Sequence, residues 1–233
     1  MIRLPSHRET IVIMAKAAVP GRVKTRLCSQ FTPEQAAGIH EAMLKCTLAR
    51  VAQCFADGED SALKLSLDDT LAPTAETVRA LPENPWHVID QGGGDLGERL
   101  AYVWRLIGGG PTIFLGSDSP DVPAEALRSI GPALEQAEVV MGPVGDGGYW
   151  TIAGRRYHGQ LFGDVDWGSA DVYHQTRKAA EKTGLTVGEV QRWHDVDTPC
   201  DLQALRQRLA STREAALTQL RNRLDDLCKG TAR

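Results

Sequence analysis

The sequence has few of the features that mark membrane, secreted or metal-rich proteins. No apolar run approaches the roughly 18 residues of a membrane-spanning helix, and the apolar stretch near the N-terminus is too short for a secretion signal. The five cysteines are scattered, without the CxxC pairs that bind zinc or carry out redox chemistry. We therefore expect a cytoplasmic protein that spans no membrane and keeps its thiols reduced.

An excess of positive charge is also absent. The net charge is -4 at pH 7, so no overall positive field attracts the phosphate backbone of nucleic acid. Nucleic acid is therefore not an expected partner, and any site for an anion must be local. The composition, 42% hydrophobic and 24% charged, otherwise matches that of ordinary globular domains.

Short apolar segments alternate with longer segments of helical periodicity. The segments 10–15 and 112–116 are apolar and rich in β-branched residues, as buried parallel strands are. The alternation predicts an α/β protein with a mostly parallel sheet and a small antiparallel addition. We expect one domain over residues 1–210 and a helical extension over 211–233, which could pair with a second copy as a homodimer. Pro132 is expected to break or bend its helix.

Four basic residues crowd the loop after the first predicted strand, in the segment AKAAVPGRVKTRL. They are Lys16, Arg22, Lys24 and Arg26. Their mutual repulsion is relieved most simply by a bound polyanion, although a solvated loop is the alternative. Because ligands of such sheets bind at the carboxyl ends of strands, we favour a phosphate site. The loop lacks the spacing of a Walker A motif.

Acidic residues follow another predicted strand and precede a late helix. Asp118 ends the buried strand in GSDSPDVP and is suited to a hard metal ion, whereas Asp121 either binds the metal or caps the next helix. In WHDVDTPCDL, Asp201 is expected to take part in a helix cap. Asp195 and Asp197 remain for other roles, and either could complete a metal site with Asp118.

Two segments are rich in glycine. The segment QGGGDLGER contains the pattern GxGxxG, but a dinucleotide-binding fingerprint belongs after the first strand and this one follows the third. It would also leave the basic loop unexplained, so an NAD-dependent oxidoreductase is the weaker alternative. The segment GPVGDGGYW is either a tight turn or a place where a ligand approaches the backbone closely. Among the six histidines, only His194 stands beside a candidate acid.

Several motifs together resemble those of one bacterial family. They are AKAAVPGRVKTRL, QGGGDLGERL, GSDSPDVP, GPVGDGGYWTIAG, DVDWGSADVYHQT and DVDTPCDL, in this order over residues 10 to about 210. The family is that of glycosyltransferases of the A-type (GT-A) fold found beside radical-SAM and selenodomain proteins, within the nucleotide-diphospho-sugar transferase superfamily. The resemblance implies a Rossmann-like, three-layer α/β/α sandwich that binds a nucleotide.

The resemblance also implies roles for particular residues. It implies a divalent metal, Mg²⁺ or Mn²⁺, held by Asp118 and Asp197, with Lys24, Arg26 and Asp118 as the catalytic groups. On this hypothesis the nucleotide contacts Lys16, Gly21, Arg22, Gly92, Gly93, Gly94, Asp95 and Arg99. A small-molecule acceptor would contact Asp146, Gly147, Gly148 and Trp167.

The charge of the basic loop favours one reaction over the others. A nucleoside triphosphate releases pyrophosphate, a more highly charged leaving group than the nucleoside diphosphate that a sugar transferase releases. We therefore expect nucleotidyl transfer from a nucleoside triphosphate to a small phosphorylated or hydroxyl acceptor. A glycosyltransferase that uses a nucleotide-sugar is the alternative, although this chain has Asp118-Ser-Pro-Asp121 in place of the Asp-x-Asp triplet usual in that class. An oxidoreductase and a non-catalytic nucleotide-binding protein come further behind.

Overall fold

The computed structural model describes residues 9–55, 62–80 and 84–229. Its strands are Thr10–Ala15 (β1), Ala62–Leu67 (β2), His87–Asp90 (β3), Thr112–Gly116 (β4), Val139–Pro143 (β5), Tyr149–Gly154 (β6) and Val187–Glu189 (β7). Its α-helices are Pro33–Phe55 (α1), Pro73–Arg79 (α2), Leu96–Leu106 (α3), Ala124–Gln136 (α4), Val172–Lys182 (α5), Pro199–Leu209 (α6) and Ala215–Leu227 (α7). Short 3-10 helices span Thr25–Ser29 and Gly159–Leu161.

Within the described residues, seven strands form one sheet in the order β3-β2-β1-β4-β6-β5-β7. β1 pairs in parallel with β2 and β4, and β2 pairs in parallel with β3. β6 runs antiparallel to its neighbours β4 and β5, whereas β5 and β7 are parallel. Of these strands only β6 points the opposite way, which confirms the predicted mostly parallel sheet with a small antiparallel addition.

Helices cover both faces of the sheet, because alternate residues of each strand point to opposite faces. Ile11 and Ile13 of β1 pack with apolar side chains of α1, α2 and α4. Val12, between them, packs on the other face with Trp104 of α3 and Tyr173 of α5. The predicted three-layer α/β/α sandwich is therefore confirmed.

The C-terminal helices form a third apolar cluster with α1. Leu220 and Leu224 of α7 are buried in a cluster that includes Met43 of α1. The side-chain amide of Gln35 also donates a 2.9 Å hydrogen bond to the carbonyl of Leu227. The apolar face of α7 is thus covered within its own chain. No helix within the described ranges is both long and apolar enough to cross a bilayer.

A buried arginine ties the loop after β4 to the C-terminal helices. Arg50 of α1 donates hydrogen bonds to the carbonyls of Pro120 (2.8 Å) and Val122 (2.7 Å). Its Nε also lies 2.5 Å from Oε1 of Glu214, directly before α7. Because this loop carries Asp118, the segment directly before α7 helps to fix one end of the candidate site.

A second arginine clamps the same loop through Asp121. Nε of Arg208 in α6 lies 2.6 Å from Oδ2 of Asp121, and the Trp193 indole donates a 3.1 Å hydrogen bond to Oδ1. Asp121 is buried, and it does not cap α4, whose N-cap is Pro123. Of the two roles considered for Asp121, helix capping is therefore wrong, and its carboxylate is used in a buried ion pair.

The sequence predicted the start of one helix correctly and a break in another helix incorrectly. Thr198 and Asp201 form the expected capping box at the start of α6. Pro132 does not break its helix, because α4 runs through it to Gln136. The buried apolar face of α4, which includes Ile130 and Leu134, stabilises the helix enough to offset the hydrogen bond that proline cannot donate.

We predict that Arg50→Met lowers the free energy of unfolding by about 3 kcal/mol, because it leaves Glu214 and two buried carbonyls without their partner. Arg206→Met is the matched control, since Arg206 forms an exposed ion pair with Asp225 whose loss should cost less than about 1 kcal/mol. Urea unfolding of both variants measures the difference. Equal losses would contradict the structural role given to Arg50.

Candidate active site

The carboxyl ends of β1 and β4 lie side by side in the middle of the sheet. From β1 the sheet continues through β2 and β3, and from β4 it continues the other way through β6, β5 and β7. Such a reversal opens a crevice at the strand ends, where open α/β sheets bind their ligands. A cavity of about 680 Å³ occupies this crevice.

Most of the residues predicted to form a site line this cavity. They are Lys16, Arg22, Lys24, Arg26, Gly94, Arg99, Asp118, Asp146, Gly148, Trp167 and Asp197. The predicted residues that do not line it are Gly21, Gly92, Gly93, Asp95 and Gly147. The basic loop, the acids and the second glycine-rich segment are thus brought together, whereas the functional roles assigned to them stay predictions.

Lys24 lies between two of the predicted metal ligands. Its Nζ is 2.7 Å from Oδ1 of Asp118 and 2.9 Å from Oδ1 of Asp197. It also donates a 2.6 Å hydrogen bond to the carbonyl of Val196. The side chain of Lys24 is only 4% exposed. We call the position defined by these three oxygens, Asp118 Oδ1, Asp197 Oδ1 and the Val196 carbonyl, the lysine seat.

The charges of the lysine seat stabilise one another. Burial alone would lower the pKa of the Lys24 ammonium, but the carboxylates of Asp118 and Asp197 raise it above its ordinary value. Burial would likewise raise the pKa of Asp118, but the charge of Lys24 holds it below its ordinary value. Lys24 and Asp118 are therefore both charged at neutral pH.

The backbone of Lys24 is held in an unfavourable conformation. Its φ of 48° lies in the left-handed region, a property that it shares with only Asp164 among the described non-glycine residues. Lys24 is the N-cap of the 3-10 helix Thr25–Ser29, and its side chain makes no capping bond there. Such strain persists only where surrounding contacts enforce it. Lys24 has these contacts through the lysine seat and through its carbonyl, which accepts a 2.9 Å hydrogen bond from the N–H of Leu27.

A buried histidine, which the sequence did not single out, faces the same carboxylate. His40 of α1 is 3% exposed, and its Nε2 lies 2.9 Å from the carbonyl of Lys16, which can only accept a hydrogen bond. Nδ1 has no hydrogen-bond partner and lies 3.9 Å from Oδ1 of Asp118. Burial lowers the pKa of His40, so the ring is neutral with a lone pair on Nδ1. His194, by contrast, is exposed and lies outside the cavity lining.

Asp197 also belongs to a group of three acids. Asp146, Asp195 and Asp197 each present a carboxylate oxygen, and these oxygens lie within 4.8 Å of one another. Burial, and next the charge of Asp146, raise the pKa of Asp195 to about 6. We call these residues the acid group. Oxygen ligands at such spacing suit Mg²⁺ or Mn²⁺, and a divalent cation would relieve their repulsion.

The remaining basic residues present their charges to the cavity. Arg26 is 72% exposed, and its guanidinium lies 3.5 Å from Oδ2 of Asp197. Nη2 of Arg22 lies 3.6 Å from Oδ2 of Asp68. Arg99 of α3 donates a 2.9 Å hydrogen bond to the carbonyl of Gly94. These long side chains have donors to spare for an anion, because each guanidinium carries five N–H groups.

The glycine-rich segments serve packing as well as access to the cavity. A Cβ on Gly97 of α3 would lie 2.4 Å from Nε1 of Trp167, so that indole lies directly on the helix. Gly147 has a φ of 94°, and a Cβ there would lie 1.7 Å from the carbonyl oxygen of Ala170. Asp95 forms a capping box with Glu98 at the start of α3. Its position outside the cavity lining follows from that local task.

Comparison with known proteins identifies the family. The family model described as "Uncharacterized protein conserved in bacteria (DUF2064)" matches residues 40–169, more than half of the chain. The chain belongs to this family. No match to it is found among the curated proteins.

Solved structures share the fold of this family member. A candidate nucleotide-diphospho-sugar transferase from Desulfovibrio desulfuricans is 28% identical, with a TM-score of 0.78 over 94% of this chain and 96% of that one. A CMP:2-keto-3-deoxy-manno-octonic acid synthetase complexed with CTP is 14% identical, with a TM-score of 0.57 over 87% and 98%. The inositol-1-phosphate CTP transferase from T. maritima is 12% identical, with a TM-score of 0.52 over 97% and 98%. The chain thus has the fold of transferases that use nucleotides, and the predicted membership of the nucleotide-diphospho-sugar transferase superfamily is confirmed.

The raised pKa of Asp195 predicts a particular pH dependence. An acid whose pKa is raised in the folded protein destabilises it when ionised, and this cost appears as the pH rises from about 4 to about 6. In metal-free buffer, Asp195→Asn should therefore be more stable than the wild type at pH 7.5 and should lose this advantage as the pH falls towards 4. Thermal unfolding at several pH values measures it. The exposed Asp171→Asn is the control, and the prediction fails if both variants behave alike.

The close approach of Gly147 to Ala170 predicts an intolerant position. Gly147→Ala should lower the free energy of unfolding by at least about 2 kcal/mol, because it adds a clash with a backbone carbonyl to a strained φ. Gly145→Ala is the control, since its Cβ would meet nothing within 4 Å. Chemical denaturation of Gly147→Ala and Gly145→Ala measures the two free energies of unfolding. A stable Gly147→Ala variant would show that this turn does not need glycine.

Proposed function

We propose that the protein is a metal-dependent nucleotidyltransferase that transfers a nucleotidyl group from a nucleoside triphosphate to a small phosphorylated or hydroxyl acceptor. The observation that supports this most is the lysine seat, in which the basic loop after β1 meets the acid at the end of β4 and the acid before α6. The phosphates of a nucleotide need basic side chains, and the metal ion that binds them needs acidic ones, so both must lie close together. The shared fold supports the use of a nucleotide.

The distribution of charge in the cavity supports a polyphosphate. Basic side chains come from the loop after β1 and from α3, whereas the acids come from the loop after β4, the turn before β6 and the segment before α6. Part of the positive charge is neutralised within the protein, by Asp118, Asp197 and Asp68. Arg22 and Arg26 remain largely exposed. A triphosphate with its cation would span the basic and acidic sides.

The acids fit a divalent cation, Mg²⁺ or Mn²⁺. The acid group offers oxygen ligands only, and Asp197 belongs both to it and to the predicted pair with Asp118. The metal, when bound, would act as a Lewis acid and hold the phosphates in place. Asp197 is therefore the residue that we expect in any metal site here, with Asp118 or with Asp146 and Asp195 as its companions.

The proposed transfer proceeds by displacement at phosphorus. An oxygen of the acceptor attacks the α-phosphorus, the bond from this phosphorus to the bridging oxygen breaks, and pyrophosphate leaves. A phosphate acceptor attacks as an anion, whereas a hydroxyl acceptor must also lose a proton. Lys24, Arg26 and Arg22 would neutralise the charge that develops on pyrophosphate, and the wall formed by Asp146, Gly148 and Trp167 would contact the acceptor.

A glycosyltransferase with a nucleotide-sugar donor is the second candidate. It is favoured by one finding, the 28% identity to a candidate nucleotide-diphospho-sugar transferase over nearly the whole of both chains. The dinucleotide alternative is weaker, because its glycine pattern follows β3, an edge strand of the sheet. A homodimer through α7 would have to use the polar side of that helix, since Leu220 and Leu224 are buried within the chain.

Thermal unfolding with single nucleotides tests the proposal. Each nucleoside triphosphate, nucleotide-sugar and NAD is added with and without Mg²⁺ or Mn²⁺. We expect one triphosphate to stabilise the protein in a metal-dependent way, by about 2.7 kcal/mol at 100 times its dissociation constant. Stronger stabilisation by a nucleotide-sugar would favour the second candidate, and stabilisation by none of these ligands would contradict both.

A pair of variants tests the phosphate contact. Arg26→Gln should weaken triphosphate binding about tenfold, because it removes an exposed charge-assisted hydrogen-bond donor without disturbing the core. Arg206→Gln on α6 is the matched control, with a guanidinium that pairs with Asp225 away from the cavity. Titration calorimetry gives both affinities. An unchanged affinity for Arg26→Gln would remove this residue from the proposed site.

A further inference from the structure

The lysine seat has the ligand chemistry of a divalent-cation site. Two carboxylate oxygens and one backbone carbonyl, from Asp118, Asp197 and Val196, surround a single point. Carboxylate and carbonyl oxygens are the ligands that Mg²⁺ and Mn²⁺ prefer. At this point lies the ammonium of Lys24, which carries one positive charge against two negative ones.

The histidine beside the seat is an independent sign that a ligand other than Lys24 belongs there. Nδ1 of His40 is buried, carries a lone pair and has no hydrogen-bond partner, although it lies 3.9 Å from Oδ1 of Asp118. An unpaired buried acceptor costs free energy, and a neighbouring carboxylate adds repulsion. A more highly charged cation, or a water molecule that it holds, would satisfy this nitrogen.

The position of Lys24 in the chain would let its side chain leave the seat. Its backbone has a strained left-handed φ, so departure of the ammonium would allow this strain to relax. Lys24 also lies in the loop that carries Arg22 and Arg26, the residues proposed to contact the phosphates. A polyphosphate bound there would offer the ammonium new partners.

We propose that Lys24 and a divalent cation are alternative occupants of the lysine seat, so that the cation displaces the ammonium at high concentration. The phosphates of the nucleotide, by drawing the ammonium out, would tighten binding of the cation. This inference rests on the metal-dependent nucleotide chemistry proposed above. It adds a coupling: the metal binds the seat weakly until Lys24 leaves. In the competing arrangement the cation binds only the acid group, and Lys24 keeps the seat.

Binding of Mn²⁺ without nucleotide tests the exchange. The electron paramagnetic resonance signal of free Mn²⁺ is followed during titration of the wild type, Lys24→Met, and Lys24→Met combined with Asp118→Asn or with Asp146→Asn. We expect Lys24→Met to bind a Mn²⁺ ion at least about tenfold more tightly than the wild type, because it removes a competing cation from two carboxylates. Asp118→Asn should abolish this gain, and Asp146→Asn should leave most of it.

The outcomes separate this inference from the proposed function. If Lys24→Met shows no gain, or if the gain survives Asp118→Asn, the exchange is wrong while a nucleotide-dependent thermal shift would still support the proposed function. If no variant binds Mn²⁺ without nucleotide, the exchange is wrong, whereas the proposed metal dependence is decided by the thermal shift with nucleotide and metal together.

A measurement on the wild type covers the case in which Lys24→Met does not fold. An amine-reactive reagent followed by mass spectrometry reports the accessibility of each lysine. Without metal, Lys24 should be protected relative to Lys45, whose side chain is partly exposed. Saturating Mn²⁺ alone should raise the labelling of Lys24 several-fold and leave that of Lys45 unchanged. Labelling of Lys24 that does not respond to Mn²⁺ would overturn the exchange.

Discussion

The geometry of the cavity depends on one buried ammonium and the two carboxylates that share it. Lys24 lies in the loop after β1, Asp118 lies in the loop after β4, and Asp197 precedes α6, so this contact joins segments up to 173 residues apart. The two carboxylates are 45% and 35% exposed, but loss of either would leave the buried ammonium of Lys24 with only part of its compensating charge. The three segments are therefore held in one arrangement in which the basic loop and the acids face each other.

Much of the architecture could be predicted because its signals are local. The alternation of apolar and helical segments specifies the parallel sheet, and capping residues such as Thr198 and Asp201 mark where helices begin. Strand order then places the basic loop beside Asp118, since parallel neighbours end at the same edge. The roles of these residues in catalysis follow from none of these patterns, because pattern and position do not specify a reaction.

The pairing of charges could not be predicted, because it depends on which side chains the fold brings face to face. The crowding of Lys24 with its basic neighbours suggested relief by a polyanion, whereas the fold relieves part of it with its own acids. The sequence predicted that Asp121 caps a helix or binds a metal, but the packing of α6 places Arg208 against it. His40 carries no signal in the sequence, where it is one of several polar residues on α1.

The acids and the cation of the lysine seat differ in how firmly they are held. Two arginines hold the loop that carries Asp118. Arg50 donates hydrogen bonds to carbonyls of this loop, and Arg208 donates one to Asp121. The polar contacts of the Lys24 side chain all lie within the seat, and its backbone is in the strained left-handed region. One cation can replace another only if the ligands stay in place when the first cation leaves. A firmly held Asp118 and a less firmly held Lys24 meet this condition. The C-terminal helices, far along the chain from β4, thus contribute to the site by keeping its acids still.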